Sequence, residues 1–476
     1  MLQRSRRRLR WLVLVLSCLI AACSGVESLL ITERNTVAAQ GSGIHAKNRQ
    51  LGRSINFGNA LEAPREGAWG LTLEEAYFAR AKEGGFDSIR LPISWTHHTA
   101  KTAPYKVDEK FFERVDWAVN QATQRGLNII VNVHHYDELN ADPVAEEARY
   151  LAIWRQIAER YQNQDDRVYF ELLNEPHGVF NEQPELWNEL LARALSVVRE
   201  SNPTRPVIVG PVGYNSTDQL PELRLPDDPN LIATVHLYDP FNFTHQGADW
   251  VEPRLPTGVT WEPERRTLAW NNWSWDTDVA WQDGRVLRVT YQRGWAGLQL
   301  HSGAPTEAYT KLSFRAKGAV KLLIGCQNSE VRQKLTTGSR WETYEVDISA
   351  CGTTDRVVIQ NGSPDAQAGL LLAGLRLSDA EGKSTSLFVS ERALIRRKLV
   401  QARQWARANK RPMFVGEFGA YSEADMTSRV LWTSAVRTEI ERRGFSWAYW
   451  EFGAGFGVYD PATSAWRERL LSALIP

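Results

Sequence analysis

The sequence has few cysteines, no excess of charge of either sign, and a single long apolar run near its start. Its 476 residues include 4 cysteines, and 56 basic side chains balance 56 acidic ones, so the formal net charge is zero. Nucleic-acid binding depends on clustered Lys and Arg, and this balance therefore favours no polyanionic partner. The apolar run covers residues 11–22, which is shorter than the roughly 20 residues that a transmembrane helix needs.

The N-terminal residues predict an export signal that ends at a lipid-modified cysteine. Five arginines between positions 4 and 10 precede the apolar run, which ends in LIAAC with small residues directly before Cys23. This pattern resembles the lipobox of bacterial lipoproteins, so residues 1–23 are interpreted as a lipoprotein signal and Cys23 as the anchor to a bacterial membrane. The product would be held at the cell surface or in the periplasm. The alternative is an ordinary signal peptide and a secreted protein. Residues 24–48 predict a flexible tether.

Two cysteines remain after export, and they predict one disulfide. Cys18 leaves with the signal and Cys23 takes the lipid, so an oxidising compartment would let Cys326 and Cys351 pair. Both lie far from any other cluster of ligand residues, which argues against zinc.

From about residue 50, short apolar runs alternate with amphipathic helical patterns, which indicates βα units and a parallel sheet. The predicted strands cover residues 54–59, 88–93, 128–134, 168–174, 206–210, 231–238, 412–417 and 446–451. Apolar residues at helical spacing predict helices over residues 73–82, 111–124, 145–160, 185–199, 393–408 and 424–442. Eight strands with helices between most of them predict an α/β fold, the (β/α)8 TIM barrel.

One connection, between the sixth strand and its helix, is far too long for a loop without structure of its own. It consists of short alternating runs separated by turn residues, which is typical of an antiparallel β-sandwich. The predicted strands of this region cover residues 286–291, 297–300, 311–316, 320–324, 341–348, 357–359 and 370–377. The sequence therefore predicts a barrel in two parts, residues 49–261 and 386–476, with a sandwich inserted at 262–385.

Two glutamates stand where a barrel of this kind places its functional residues, at the C-terminal ends of strands. Glu175 follows the fourth strand in the tripeptide NEP, and Glu417 ends the seventh in GEF. Retaining glycosidases need two carboxyl groups about 5–5.5 Å apart, one to protonate the leaving oxygen and one to attack the anomeric carbon. Either glutamate alone could be a solvated or salt-bridged carboxylate, but the pair predicts a glycoside hydrolase.

The chain resembles glycoside hydrolase family 5, a family of retaining barrels, over nearly the whole barrel. Eight motifs carry the resemblance in order: GNALE from position 58, RLP from 90, HHYDEL from 134, NEPHG from 174, HLYDPF from 236, THQGADW from 244, GEFGAY from 416 and WAYWEF from 447. They are most like those of bacterial endoglucanases that also accept mannan. The resemblance implies that Glu175 is the acid/base and Glu417 the nucleophile.

The resemblance also implies roles for four supporting residues. Arg90 would keep Glu417 ionised, because a nearby cation lowers the pKa of a carboxyl group; a purely structural salt bridge is the alternative. Asn174 would bond the sugar 2-hydroxyl. His236 and Tyr238 lie two residues apart on one strand face, so His236 would orient the acid/base and Tyr238 would donate to the nucleophile.

Further contacts with sugar are expected from residues on the first, third and eighth strands. Of the adjacent His134 and His135, we expect His134 to face the cleft and His135 to support it, because neighbouring strand residues face opposite ways. Trp450 would form the sugar platform. Asn59 and Glu62 would contact more distant hydroxyls. No metal or cofactor is expected, since no carboxylate or cysteine cluster accompanies the histidines.

The inserted region resembles carbohydrate-binding sandwiches and is rich in tryptophan near its start. These tryptophans either stack on glucan or fill the core of the sandwich and its contact with the barrel: Trp261, Trp270, Trp273, Trp275, Trp281 and Trp295.

The leading hypothesis is a monomeric, retaining endo-β-1,4-glucanase that acts on β-linked polysaccharide, including mannan or mixed-linkage glucan. The alternatives are a β-mannanase and a surface glycan-binding protein without catalysis.

Overall fold

The computed structural model describes residues 43–302, 308–326 and 332–476. The predicted export signal, Cys23 and most of the predicted tether lie outside the described residues. Among the residues that are described, no helix is both long and apolar enough to cross a membrane.

Eight parallel strands close into a barrel, as predicted. They are Arg53–Asn56, Ser88–Leu91, Asn128–Asn132, Val168–Glu171, Val207–Val209, Leu231–His236, Met413–Glu417 and Ser446–Tyr449. Their residues are almost all buried, as expected for strands covered by helices outside and packed side chains inside. Most strands end earlier than predicted; the fourth, for example, ends at Glu171 rather than at residue 174. The apolar pattern continues into loops that leave the sheet and run over the barrel mouth.

In the described part of the chain, Ile44–Leu51 covers one end of the barrel, and six longer helices surround it: Glu75–Glu83, Glu109–Gln124, Pro143–Tyr161, Pro184–Ser201, Glu391–Ala408 and Met426–Glu441. A C-terminal helix, Glu468–Leu474, packs beside the last of these. Shorter helical turns lie in the loops: Trp95–His98, Asp137–Ala141, Val179–Glu182, Val212–Asn215, Thr217–Glu222 and Phe241–Thr244. The start of several long helices is fixed by a capping carboxylate, as where Asp142 accepts from the N–H of Ala145 ahead of a helix with proline at its first position.

The first helix, Ile44–Leu51, corrects the prediction of a tether over residues 24–48, because residues 44–48 are helical. Ile44 and Leu51 lie against the apolar residues at the N-terminal end of the barrel. Asn48 donates from its side chain to the carbonyl of Met413 at 3.1 Å. The open end of the barrel is apolar, so a short helix with three buried positions covers it.

The insertion is a sandwich of two antiparallel sheets. The six-stranded sheet consists of Thr277–Gln282, Val286–Tyr291, Lys311–Lys317, Glu342–Asp347, Gln367–Ser378 and Ser384–Ser386. The five-stranded sheet consists of Asn271–Asn272, Gly297–His301, Lys321–Gly325, Gln333–Thr336 and Arg356–Asn361. The sandwich has an apolar core of its own, separate from that of the barrel. Arg266–Leu268 pairs with Phe388–Ser390 in a two-stranded neck, so the chain enters and leaves the sandwich at the same place. Two further short strands, Tyr459–Asp460 and Ala465–Trp466, form a hairpin beside the barrel.

The predicted pair Cys326 and Cys351 forms a disulfide, with Cα atoms 5.9 Å apart. Cys326 directly follows the strand Lys321–Gly325 of the five-stranded sheet. Cys351 ends a helical turn just after Glu342–Asp347 of the other sheet. The disulfide therefore ties one sheet of the sandwich to the other.

Candidate active site

Arg90, on the second barrel strand, lies at the centre of the site and is fully buried. Its Nε and Nη2 donate to the two carboxylate oxygens of Glu171, at 2.6 and 2.9 Å. Nη1 donates to Asn56 at 2.9 Å and to Glu417 at 2.7 Å, and Nη2 also donates to Asn174 at 2.7 Å. All five N–H donors of the guanidinium are thus used, so the fork is fixed in one orientation.

Glu171 is a residue of this site that sequence reasoning missed. Its carboxylate is wholly buried and pairs with Arg90 through two hydrogen bonds. The available signal was an acidic residue at the end of an otherwise apolar strand, four residues before Glu175. Arg90 is therefore not free to neutralise Glu417 alone, because its single positive charge is shared between two carboxylates.

Glu417 is held on both of its oxygens. Oε1 accepts from Arg90, and Oε2 accepts from the hydroxyl of Tyr238 at 2.8 Å. Burial raises the pKa of Glu417 above its ordinary value, while His236, Arg90 and the hydrogen bond from Tyr238 act in the opposite direction. Arg90 thus favours the ionised form as predicted, but it does not outweigh the effect of burial.

Glu175 stands in the loop after the fourth strand, with a left-handed φ of 47°. Its Oε1 lies 2.6 Å from Nδ1 of His236. Burial raises the pKa of Glu175 to about 7 and lowers that of His236 to about 4. At neutral pH the imidazole is therefore uncharged, and the carboxyl group is divided between its protonated and ionised forms.

The two glutamates approach each other at the distance that a retaining mechanism requires. One oxygen of Glu175, one oxygen of Glu417 and a ring nitrogen of His236 all lie within 4.8 Å of one another. Retaining enzymes place the two carboxyl groups about 5–5.5 Å apart, whereas inverting enzymes need about 6.5–9.5 Å to admit a water. The spacing therefore fits direct attack by a carboxylate.

Asn215, after the fifth strand, is a second residue that sequence reasoning missed. Its Nδ2 donates to Nε2 of His236 at 3.2 Å, and the side chain is completely buried. A ring nitrogen that accepts a hydrogen bond carries no proton, so the neutral ring of His236 is protonated on Nδ1. That N–H points at Glu175. The only available signal was a polar residue just beyond a barrel strand.

Asn174 is oriented by Arg90. Because Oδ1 of Asn174 accepts from Nη2 of Arg90, its Nδ2 is the atom left to donate into the cleft. This is the orientation that the predicted bond to a sugar hydroxyl requires. The amide lies next to Glu175, so a sugar held there would be beside the acid/base.

His134 and His135 both lie beyond the third strand, which ends at Asn132, and the expectation that His134 faces the cleft while His135 supports it stays a prediction. Nδ2 of Asn132 lies 3.0 Å from Nδ1 of His134, and Oδ1 of the same amide accepts a backbone N–H, so the ring of His134 carries its proton on Nε2. His134 stacks parallel to Trp450, with ring centroids 5.6 Å apart. His135 lies edge-on to His134 and also to the exposed Trp69.

The indole of Trp450 lies across the backbone of Gly58. A Cβ at position 58 would be 2.8 Å from the ring, so only glycine permits this approach. In the same loop Glu62 is 1% exposed and accepts from the backbone N–H groups of Asn59 and Ala60. Glu62 therefore shapes the loop that carries Asn59, and the sugar contacts expected of these two residues stay predictions.

Exposed aromatic rings lie on both sides of the two glutamates. Tyr214 is 54% exposed and stacks on His177, at 4.6 Å and 12° between the ring planes. His177 in turn donates from Nδ1 to the carbonyl of Glu175 at 2.7 Å. Trp250, 57% exposed, packs edge-on to His245, which lies edge-on to Tyr238, the donor to Glu417. An exposed ring is thus connected to each glutamate, and such rings suit the apolar faces of sugars.

Comparison with known proteins agrees with this geometry. The family model described as cellulase, glycosyl hydrolase family 5, matches residues 51–285. A solved structure of Cel5A from Thermotoga maritima in complex with cellobiose is 33% identical, over 90% of this chain and 99% of that chain, with a TM-score of 0.62. The chain belongs to glycosyl hydrolase family 5.

Two further similar proteins extend the comparison for this member of glycosyl hydrolase family 5. The same Thermotoga maritima enzyme with mannotriose is 32% identical, over 90% of this chain and 99% of that chain, with a TM-score of 0.62. Endoglucanase H of Acetivibrio thermocellus is 41% identical over 198 residues, which are 42% of this chain and 22% of that protein. The chain thus spans only about a fifth of the length of this curated relative.

Proposed function

We propose that the chain is a retaining, endo-acting glycoside hydrolase that cleaves β-1,4-glucan, with Glu175 as acid/base and Glu417 as nucleophile. The observation that carries the proposal is the pair of carboxyl groups within 4.8 Å of each other in unequal surroundings. Glu417 is hydrogen-bonded by Arg90 and Tyr238 in the way an ionised nucleophile requires. Glu175, with a pKa of about 7, is able to hold a proton at neutral pH.

In the first step Glu417 attacks the anomeric carbon while Glu175 gives its proton to the leaving glycosidic oxygen, so the bond between the sugars breaks and a glycosyl ester forms. Glu175 is then an anion. The Nδ1–H of His236, which Asn215 directs towards it, donates to that anion. In the second step Glu175 takes a proton from water, and the water oxygen displaces Glu417 from the anomeric carbon.

The cleft suits a long substrate bound along its length. Exposed rings on both sides of the glutamates, Trp69, Tyr214 and Trp250, support binding of sugars before and after the cleaved bond. β-Mannan is the second candidate substrate, since one related structure is described with mannotriose and another with cellobiose.

Substitution of each glutamate by glutamine tests the proposal. Glu417→Gln and Glu175→Gln should each lower reducing-sugar release by roughly 10²–10⁴-fold, because each removes a group that acts in the transition state. The substrates should include carboxymethylcellulose, lichenan, xyloglucan, glucomannan and mannan in parallel. Glu182→Gln, an exposed glutamate on the loop after the fourth strand, is the matched control. Normal turnover in either active-site variant would refute the role assigned to that glutamate, whereas no turnover of any of these substrates by the unaltered chain would leave the glycan-binding alternative.

We also propose export and anchoring through Cys23. The basic residues, apolar run and small residues before Cys23 support this, and the disulfide between Cys326 and Cys351 suits an oxidising compartment. Labelling of cells with a fatty-acid analogue should mark the full chain and not the Cys23→Ser variant.

A further inference from the structure

Three tryptophans near the start of the inserted sandwich lie outside its core. Trp273 and Trp295 are 49% and 52% exposed, and Trp275 is partly buried. The core of the sandwich is filled by other residues, among them Trp270 at 4% exposure. Packing of the core therefore does not explain why large aromatic rings stand at these three positions.

Trp273 and Trp275 point to the same outer face of the five-stranded sheet. Trp273 donates its backbone N–H to Gln299 at 2.9 Å, and Trp275 donates to Gly297 at 3.1 Å, so the two tryptophans lie opposite alternate residues of the neighbouring strand. Leu298 of that strand faces the core. Because side chains alternate along a strand, the residues opposite the two tryptophans face outwards.

The rings are held in place before any ligand binds. Trp273 stacks on His301, with centroids 3.8 Å apart and planes within 8°. Trp275 lies across Gly297, where a Cβ would come within 2.3 Å of the indole. Its Nε1 donates to the carbonyl of Trp295 at 3.0 Å. Rings that are already ordered lose little conformational entropy when a ligand stacks on them.

An amide side chain accompanies the rings on this face. Gln360 donates from its side chain to the carbonyl of Trp295 at 2.7 Å, whereas Gln299, opposite Trp273, is only 6% exposed. Arg356 lies over Trp273 at 5.5 Å, and its charge is paired with Asp355 at 3.2 Å. Flat apolar rings beside uncharged hydrogen-bonding groups complement a neutral sugar chain, which has apolar faces and hydroxyl edges.

The sheet that carries this face adjoins the catalytic barrel near the acid/base side of the cleft. Asn271 and Ser302, at one end of its strands, line a small cavity together with Asp218. Asp218 belongs to the helical turn Thr217–Glu222, which directly follows Tyr214 and Asn215. The side chain of Tyr214 in turn stacks beside Glu175 through His177. Barrel and insertion therefore meet at the element that flanks the acid/base.

We propose that the face formed by Trp273, Trp275, Trp295 and Gln360, the tryptophan face, is a second binding site for a neutral β-linked glycan chain. The choice of ligand rests on the proposed function, since the polymer that enters the barrel would be the one that the insertion retains. The site would hold the polysaccharide on the acid/base side of the cleft, where the leaving part of the polysaccharide lies.

Binding can be measured in the full chain carrying Glu417→Gln, so that the polymer is not degraded. We expect Trp273→Ala and Trp275→Ala each to weaken retention on microcrystalline cellulose, and retardation in gels that contain hydroxyethylcellulose or glucomannan, by about tenfold. Trp341→Ala removes a partly buried tryptophan at the edge of the other sheet, above Arg315, and should leave binding unchanged. Equal retention in all the variants would overturn the proposal.

Two further measurements separate this proposal from loss of folding and from failure of the proposed function. Trp273→Phe and Trp275→Phe keep a flat ring and should retain most of the binding; a loss as large as that in the alanine variants would count against stacking. With Glu417 intact, the alanine variants should cleave short soluble oligosaccharides at the unchanged rate. If the unaltered chain hydrolyses glucan but the tryptophan variants bind polymer normally, only the second binding site is refuted. If the tryptophans are needed for binding but the unaltered chain hydrolyses no glycan, only the proposed function is refuted. Concentration-dependent dimers that disappear in Trp273→Ala would make the face a contact between copies and overturn the proposal.

Discussion

At the scale of the residue, the protonation of Glu175 depends on the ring of His236. Glu175, Glu417, Arg90 and Glu171 are the charged groups that act on this ring. Burial keeps His236 neutral, with a pKa of about 4. The ring therefore acts as a hydrogen-bond donor to Glu175 and not as a second positive charge beside Arg90. The N–H stabilises the ionised form of Glu175, and it opposes the effect of burial on that carboxyl group.

The pH dependence of activity follows from these shifts. Catalysis needs Glu175 protonated, so kcat/KM should fall as pH rises through about 7, its folded-state pKa. It needs Glu417 ionised, and because burial raises the pKa of Glu417, activity should also fall on the acidic side. A bell-shaped profile of kcat/KM measured on a soluble glucan checks both limbs. A rate that stays constant from pH 6 to 9 would contradict the role of Glu175 as the acid.

Asn215→Ala separates the role of the ring from that of the glutamate. Without the hydrogen bond from the Asn215 amide, the ring proton of neutral His236 can move from Nδ1 to Nε2. The hydrogen bond from Nδ1 to the Glu175 anion is then weaker. We expect the alkaline limb of the profile to move to higher pH and kcat to fall, while KM changes little. A variant with lower kcat but an unmoved limb would indicate that Asn215 only supports the loop.

At the scale of the element, the order of strands and helices could be predicted from the sequence, but their ends could not. Apolar spacing does not distinguish Leu172 and Leu173, which follow the fourth strand in a loop, from residues within it. The supporting residues Glu171 and Asn215 were missed for a related reason. Their function arises from contacts with Arg90 and His236, which lie on other strands far away in the sequence.

The helix Ile44–Leu51 was missed because most of its residues are polar and only every third or fourth position is buried. Leu51 is fully buried beneath the barrel. Leu51→Ala should therefore lower the free energy of unfolding by roughly 2–5 kcal/mol, as expected when a buried leucine leaves a cavity. Urea denaturation checks this, with Gln50→Ala, an exposed position on the same helix, as the control. Equal stability of the two variants would mean that the helix is not part of the folded barrel.

At the scale of the whole molecule, the apolar core of the sandwich is separate from the apolar clusters of the barrel in the described part of the chain, and a short neck carries the chain between the two domains. A composition change along the sequence was enough to predict the insertion, because strands with period two replace helices with period 3.6. It was not enough to distinguish core tryptophans from exposed ones. Trp270 and Trp273 stand three residues apart in the same region, yet one fills the core and the other stacks on the outer face.

Because the cores are separate, the disulfide should stabilise the sandwich alone. Cys326 and Cys351 are separated by 25 residues, and closing a loop of that length stabilises the folded state by roughly 3 kcal/mol in the chain-entropy model. The double variant Cys326→Ser and Cys351→Ser should therefore lower the transition temperature of the sandwich in calorimetry. The barrel transition and the hydrolysis of soluble substrate should not change. If both transitions fall together, the neck couples the two cores, and retention on polymer and catalysis in the barrel would then depend on one cooperative unit.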